Sequence, residues 1–252
     1  MFSTVLGLFS LDLALDPGSS TTRIFMCGKG PALVQPTVVA VQTDKRGRRE
    51  IIAVGDEARA MLGRTPPDID AVQPVRAGRF EDFEVAEALI VHLIRRLHNR
   101  NGWMSPRMVV TVPCAAGEME RRAVRECCEA AGAREVHLVP SALAAALGAG
   151  LPVQDPSGLM VVNIGGGCTE VSVLSLSGVV TSSVVAAGGE GMDSAIIEHL
   201  RREYGMLIGP DSAERVKMKL GSAIGGSVDD TMIVRGRDLV TGVPRSQQIN
   251  SA

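Results

Sequence analysis

Two short stretches of this chain carry residue types that can grip a phosphate. Asp16-Pro17-Gly18-Ser19-Ser20-Thr21-Thr22 and Asn163-Ile164-Gly165-Gly166-Gly167-Cys168-Thr169 share a frame, with Asp or Asn, Gly and Thr at matching offsets. Each follows one apolar run and precedes another, so each reads as the turn of a strand hairpin. A tight glycine-rich turn lines up backbone N–H groups around an anion, with hydroxyls alongside. Gly18 and Gly165 to Gly167 let the backbone come close with no side chain in the way. Two such hairpins facing each other can clamp a polyphosphate from both sides. Asp16, beside the phosphates, would hold Mg²⁺ through water. The alternative is a pair of ordinary hairpin turns. Duplication in matching strand contexts weighs against it and suggests two similarly built halves.

The elements that must position these turns follow from periodicity. Residues 10–28 read as strand, turn, strand, and 37–43 and 51–55 as a second pair. Residues 64–80, with Pro66, Pro67, Pro74 and Gly78, read as mostly loop. Over 81–100, Phe83, Ala86, Leu89, Ile90, Leu93, Ile94 and Leu97 fall on one helical face. A strand at 107–113, a helix at 118–131 stopped by Gly132, a strand at 135–139 and an Ala-rich helix at 141–149 capped by Ser141 follow. This is the pattern of a sheet covered by helices. Strands at 159–164, 170–176 and 178–186 precede helices at 191–204 and 212–221, the second opened by Asp211 with Glu214 close to a capping box. One more strand fits 232–240, and the tail to Ala252 is polar and unpatterned.

Composition removes several function classes. The chain has 252 residues, 45% of them hydrophobic, enough for one large or two modest domains. Its net charge of −2 excludes a generic electrostatic grip on nucleic acid, and 3% aromatics leave little for stacking on single strands. Five cysteines without a C-x-x-C pair suit a reduced, cytoplasmic chain, and Cys127 and Cys128 suit packing better than redox work. The four histidines have no metal-binding spacing. No apolar run is long enough to cross a bilayer, and the apolar Met1–Leu15 stretch lacks the basic residue of a signal peptide.

The chain resembles the actin-like ATPases, and within them the bacterial rod-shape-determining MreB family. The resemblance runs from about Phe9 to Asn250 through LDPGSSTTRIF, VGDEARAMLGRTP, ERRAVRE, GLMVVNIGGGCTEVSVLSLSGVV, GGEGMDSAI, AERVKMKLGSA and VRGRDLVTGVPRS. It implies an α/β, actin-like (ribonuclease H-like) fold of two domains closing on ATP. The first is residues 1–150, with a small inserted subdomain at about 30–75. The second is residues 151–252 and is incomplete. By position, Gly18, Ser19, Ser20 and Thr21 resemble the first phosphate loop, and Gly165, Gly166, Gly167 and Cys168 the second. Gly188, Gly189 and Asp193 match a further glycine turn near the nucleotide. Glu214 and Lys217 match the segment near base and ribose, against the alternative of a solvated helix face.

The chain departs from that family at telling places. An acid that activates the attacking water usually stands where this chain reads Val139-Pro140-Ser141-Ala142, and a second usually stands at Asn163. Gly117 replaces a frequent Thr near the γ-phosphate. Ser is a poor base and Asn has no titratable proton, so water activation and Mg²⁺ charge balance should suffer and hydrolysis should be weak or lost. The segments that would follow Asn250 in the family are absent, so the second sheet should be short of strands and expose an edge or apolar face.

The resemblance implies a cytoskeletal protein of cell shape that binds ATP and joins filaments, with itself or a full-length MreB-like paralogue. Two rivals are a regulator that caps or co-assembles with such a paralogue, and an ATP-hydrolysing enzyme of the same superfold. The apolar N-terminus and Trp103-Met104 are candidate contacts to the inner face of the cell membrane, although no basic residue supports the former.

Overall fold

The computed structural model describes residues 12–76, 78–97, 105–224 and 230–251. Residues 1–11 of the apolar N-terminus, and Trp103-Met104, lie outside them. The chain forms two compact units that divide between Ala186 and Ala187.

The first unit is built on a five-stranded sheet of β1 (Leu13–Pro17), β2 (Thr21–Met26), β3 (Gly30–Pro36), β9 (Arg107–Val112) and β10 (Glu135–Pro140), in the order β10-β9-β1-β2-β3. β1 runs antiparallel to β2 and parallel to β9, which is in turn parallel to β10. Alternation buries Leu13 and Leu15 of β1, Ile24 of β2 and Met108 and Val110 of β9. Helix α2 (Phe83–Leu97) lays Val85, Leu89, Ile90 and Leu93 against them, and α3 (Glu118–Ala130) adds Val124, Cys127 and Cys128. Phe83, expected on the buried face of α2, is exposed and Val85 takes its place. Burial pushes the Cys127 thiol far above its ordinary value and Cys128 to about 12, so both are neutral packing groups.

Between β3 and α2 the chain adds β4 (Val39–Thr43), β5 (Arg49–Val54), α1 (Asp56–Met61), β6 (Ile69–Val72), β7 (Val75–Arg76) and β8 (Arg79–Phe80). β5, β4 and β6 form a sheet, and β7 pairs with β8. The stretch expected to be mostly loop therefore holds three short strands. β3 was also not legible, because its prolines obscure it; they are tolerated at the sheet's edge, where a missing N–H costs no ladder bond.

Asp82 ties this insertion to α2. Its Oδ1 accepts the Val85 N–H at 3.2 Å, and its Oδ2 accepts from Arg49 Nη2 at 2.6 Å. The Arg49 hydrogen bond, helped by the Val85 N–H, holds the Asp82 carboxyl below its usual range despite the opposing effect of burial. A depressed carboxylate stabilises the fold above the unfolded value of about 3.9 and loses that contribution as pH falls through the folded one. Asp82→Ala should cost about 1 kcal/mol at neutral pH. Urea midpoints of wild type and variant should begin to converge as pH drops below about 4, the carboxylate's contribution being lost only once pH has fallen through its lowered folded-state value.

Helix α4 (Ser141–Gly148) follows β10 and packs on a three-stranded antiparallel sheet of β11 (Leu159–Ile164), β12 (Thr169–Ser175) and β13 (Gly178–Val185). Met160, Val162 and Ile164 of β11 and Val180 and Val185 of β13 are exposed, as expected of a short sheet. The second unit contains α5 (Gly189–Tyr204), β14 (Met206–Leu207), α6 (Pro210–Leu220), β15 (Thr231–Asp238) and β16 (Pro244–Asn250) around Leu200, Met206, Val216 and Leu220. Helix α6 opens at Gly209, with Pro210 in its first turn, so Asp211 lies inside the helix and does not cap it.

The tail read as unpatterned forms β16, paired along its length with β15. Asp238 Oδ1 accepts from the N–H groups of Val240 and Thr241 and fixes the turn. Only Ile249 of β16 is buried, so no alternation marks the strand.

Candidate functional site

The first hairpin turn is braced from outside. Asp16 pairs with Arg23 and Pro17 with Thr22 across β1 and β2, leaving Gly18, Ser19 and Ser20 as the loop. The Thr37 hydroxyl donates to the Gly18 carbonyl at 2.7 Å. Its one proton is thereby used, so the 2.8 Å contact between Thr22 and Thr37 has Thr22 as donor. Thr37 N–H also donates to the Ser20 carbonyl, and Ser19 Oγ accepts from Gly78 N–H. A Cβ on Gly18 would lie 2.7 Å from the Thr21 carbonyl oxygen, so the tight turn needs glycine there.

The second hairpin repeats the register: Asn163 pairs with Glu170 and Ile164 with Thr169. Gly165 N–H donates to the Cys168 carbonyl at 2.8 Å and closes the turn. Glu170 thus stands on the second hairpin where Arg23 stands on the first.

Both turns line one cavity of about 300 Å³. Asp16, Gly18, Ser19, Ser20 and Thr21 line it from one hairpin, and Asn163, Gly165, Gly166, Gly167 and Cys168 from the other. Thr111 and Ser141 also contribute. The charged residues in its lining are Asp16, Arg23 and Glu170. Asp16 Oδ1 accepts from the Thr111 hydroxyl at 2.7 Å, while Oδ2 lies 3.5 Å from Arg23 Nη1.

Two carboxylates and one guanidinium would repel a bare triphosphate on balance. A divalent cation arriving with the phosphates reverses that sign. No group of three or more His, Cys, Asp or Glu side chains among the described residues could hold a metal ion alone.

The sequence reading of Ser141 as a helix cap is corrected. Pro140 holds the cap position without a side-chain bond, and the Ser141 hydroxyl donates to Glu170 Oε2. Glu170 Oε1 accepts the Cys114 N–H at 2.6 Å, and the side chain is buried. Segment 139–142 has no acid of its own, but an acid from β12 hydrogen-bonds to it. Sequence reasoning missed Glu170 and also Arg23, Thr37 and Thr111, which brace or line the same cavity. Gly117, outside the lining, opens α3 with its N–H on Glu120 Oε2.

The remaining predicted residues lie in the second unit. Gly188 caps α5, and Gly189 and Asp193 lie in its first turns. Lys217 Nζ donates to the Gly189 carbonyl and to Asp193 Oδ2, both at 2.9 Å. Gly189, Asp193 and Lys217 are thus joined; Glu214 is on the same helix as Lys217 but is not part of that contact set.

Comparison with known proteins decides the family, because the MreB/Mbl protein family matches residues 10–252. The chain belongs to the MreB/Mbl family. It is 49% identical to the cell shape-determining protein MreB of Escherichia coli (strain K12) over 97% of this chain and 71% of that one. It is 39% identical to the cell shape-determining protein Mbl of Bacillus subtilis (strain 168), over 97% of this chain and 72% of that one. Among solved structures, MreB 5 of Spiroplasma citri bound to AMPPNP superposes with a TM-score of 0.88 at 31% identity, over 96% of this chain and 72% of that one. The MamK double helical filament, at 19% identity and a TM-score of 0.75 over 95% of this chain and 72% of that one, supports the fold alone. The fold is therefore the actin-like α/β fold of the MreB/Mbl proteins. No helix among the described residues is long and apolar enough to cross a membrane.

Proposed function

We propose that this MreB/Mbl protein binds Mg-ATP in the cavity between its two hairpin turns and assembles into cell-shape filaments, with itself or a longer paralogue, at the cytoplasmic face of the membrane. One observation carries the nucleotide reading: two glycine-rich turns of the same register, far apart in sequence, line one cavity with Asp16 at its edge. The Spiroplasma citri relative is bound to AMPPNP, which supports a nucleotide as the occupant. The phosphates would lie against the backbone N–H groups of the turns, and Asp16 would hold Mg²⁺ through water. When bound, the ion supplies charge compensation to the phosphates. Gly188, Gly189, Asp193, Glu214 and Lys217 are proposed to serve the rest of the nucleotide. Hydrolysis is proposed to be slow, because Ser141 and Asn163 stand where the family resemblance places acids.

Calorimetric titration with Mg-ATP tests the occupant. Binding should be saturable and should weaken by about 10-fold or more in EDTA, as expected when losing the cation's charge removes at least 1.4 kcal/mol. Equal affinity for ATP with and without Mg²⁺ would remove the metal from the proposal, and no heat with either would remove the nucleotide. Sedimentation with and without Mg-ATP, alone and mixed with a longer MreB relative, tests assembly. A chain that stays in the supernatant under all four conditions is not a filament component.

A further inference from the structure

We propose that Ser141 and Glu170 form a hydroxyl–carboxylate relay that orients the water attacking the γ-phosphate of bound ATP. The inference deepens the nucleotide reading of the same cavity and rests on it. Its starting point is a direction of donation. The Ser141 hydroxyl gives its one proton to Glu170 Oε2, so its lone pairs are left to accept from another group. Glu170 Oε1 is held by the Cys114 N–H, which fixes the carboxylate's orientation. Ser141 and Glu170 both line the cavity that holds the two turns. A water bonded to Ser141 Oγ is then a donor to that oxygen, with its own lone pairs free for phosphorus.

The chemistry balances without a further reactant. The water oxygen attacks the γ-phosphorus as the bond to the bridging oxygen breaks, and ADP leaves with the electron pair. The water proton passes to Ser141 Oγ as the serine proton passes to Glu170. Glu170 afterwards returns its proton to solvent or to released phosphate. Ser141 is the catalytic residue in this account, and Glu170 is a positioning residue that works through it.

The surroundings permit the role. Burial raises the Cys114 and Cys168 thiols, so both stay neutral beside Glu170 and neither competes for its proton. Asp16 and Arg23, the other charged residues of the lining, are paired with each other. Position in the repeat also marks Glu170: its counterpart on the first hairpin is the cation Arg23, so the two hairpins present opposite charges at equivalent places.

The test is single-turnover phosphate release from Mg-ATP, with calorimetry on each variant. Glu170→Gln keeps the side chain's shape and the Cys114 bond. Its amide must donate to Ser141, however, which turns the serine proton toward the cavity and reverses what the hydroxyl offers the water. Glu170→Gln and Ser141→Ala should each slow release by about 10- to 100-fold, the lower range of a general-base contribution, with Mg-ATP affinity within about 3-fold of wild type. The double variant should be no slower than either single one, because the pair acts as a unit. Ser141→Thr, which keeps the hydroxyl, should restore the rate. In the nucleotide-free chain, carbon NMR should show the Glu170 carboxyl signal moving in Ser141→Ala and returning toward its original position in Ser141→Thr.

Wild-type rates in Glu170→Gln or Ser141→Ala overturn the relay. So does a wild-type chain that binds Mg-ATP but releases no phosphate, an outcome that leaves the nucleotide reading standing. A wild-type chain that does not bind Mg-ATP overturns both.

Discussion

Gly18→Ala should weaken Mg-ATP binding by about 10- to 100-fold, the loss of one or two charge-assisted hydrogen bonds at about 1.5 kcal/mol each. The new Cβ would stand 2.7 Å from the Thr21 carbonyl oxygen, and that neighbour is backbone, not a side chain that can swing aside. Nor can the turn relax as a body, because Thr37 holds the Gly18 carbonyl and the Ser20 carbonyl from the other side. The strain must open the turn and splay the N–H groups proposed to face the phosphates. Gly165→Ala provides the internal comparison. Its Cβ would sit 3.1 Å from the Cys168 carbonyl oxygen, a clash that a shift of a few tenths of an ångström relieves. The expected loss there is about 3-fold, under 1 kcal/mol. Calorimetry on both variants, with circular dichroism to show that each is folded, checks the order. Equal affinities in Gly18→Ala and wild type would mean that the first turn does not touch the ligand.

These turns were legible in the sequence because their chemistry is local: aspartate or asparagine, glycine and threonine within seven residues, bounded by apolar strands. The Ser141–Glu170 pair was not, because it is made by folding. In β12 the apolar alternation of Val171 and Val173 points away from the deepest burial, and Glu170, Ser172 and Leu174 are the residues turned inward. A reader expecting the apolar face to be the buried one places Glu170 in solvent. The usable clue was the repeat itself, since extending the shared frame by one residue sets Glu170 opposite Arg23 as its counterpart. Ser141 misled for a similar reason: a serine before an Ala-rich run matches a helix cap, but Pro140 holds that position, and Glu170, the acceptor of the serine's proton, is brought to it only by the tertiary structure. In β16 the missing signal is burial, because a strand held by backbone pairing with one buried side chain has no hydrophobic period to display. The large α2 helix is the opposite case, with its apolar stripe covering a core and only its first residue misassigned.

Lys217→Ala should destabilise the second unit by about 2–4 kcal/mol, somewhat below the usual cost of breaking a fully buried ion pair because a little solvent reaches it. Lys217 Nζ lies 2.9 Å from Asp193 and from the Gly189 carbonyl, with side-chain exposures of 20% and 15% for the lysine and the aspartate. Removing the ammonium leaves a carboxylate with little water and no cation, beside a carbonyl oxygen that also loses its donor. The double variant Lys217→Met with Asp193→Leu removes both charges and refills the volume, so most of that loss should be recovered. The pair of variants also separates two roles for these residues. If Lys217 and Asp193 only join α5 to α6, the double variant should keep wild-type Mg-ATP affinity along with its recovered stability. If they serve the nucleotide as the family resemblance implies, Asp193 beside the glycine turn and Lys217 near base and ribose, stability should return while affinity stays at least about 10-fold down, because hydrogen-bonding groups lost from a site are not replaced by apolar ones. Urea unfolding and calorimetry on the same three proteins give both numbers. The nucleotide assignment of Asp193 and Lys217 is lost if affinity follows stability back to the wild-type value.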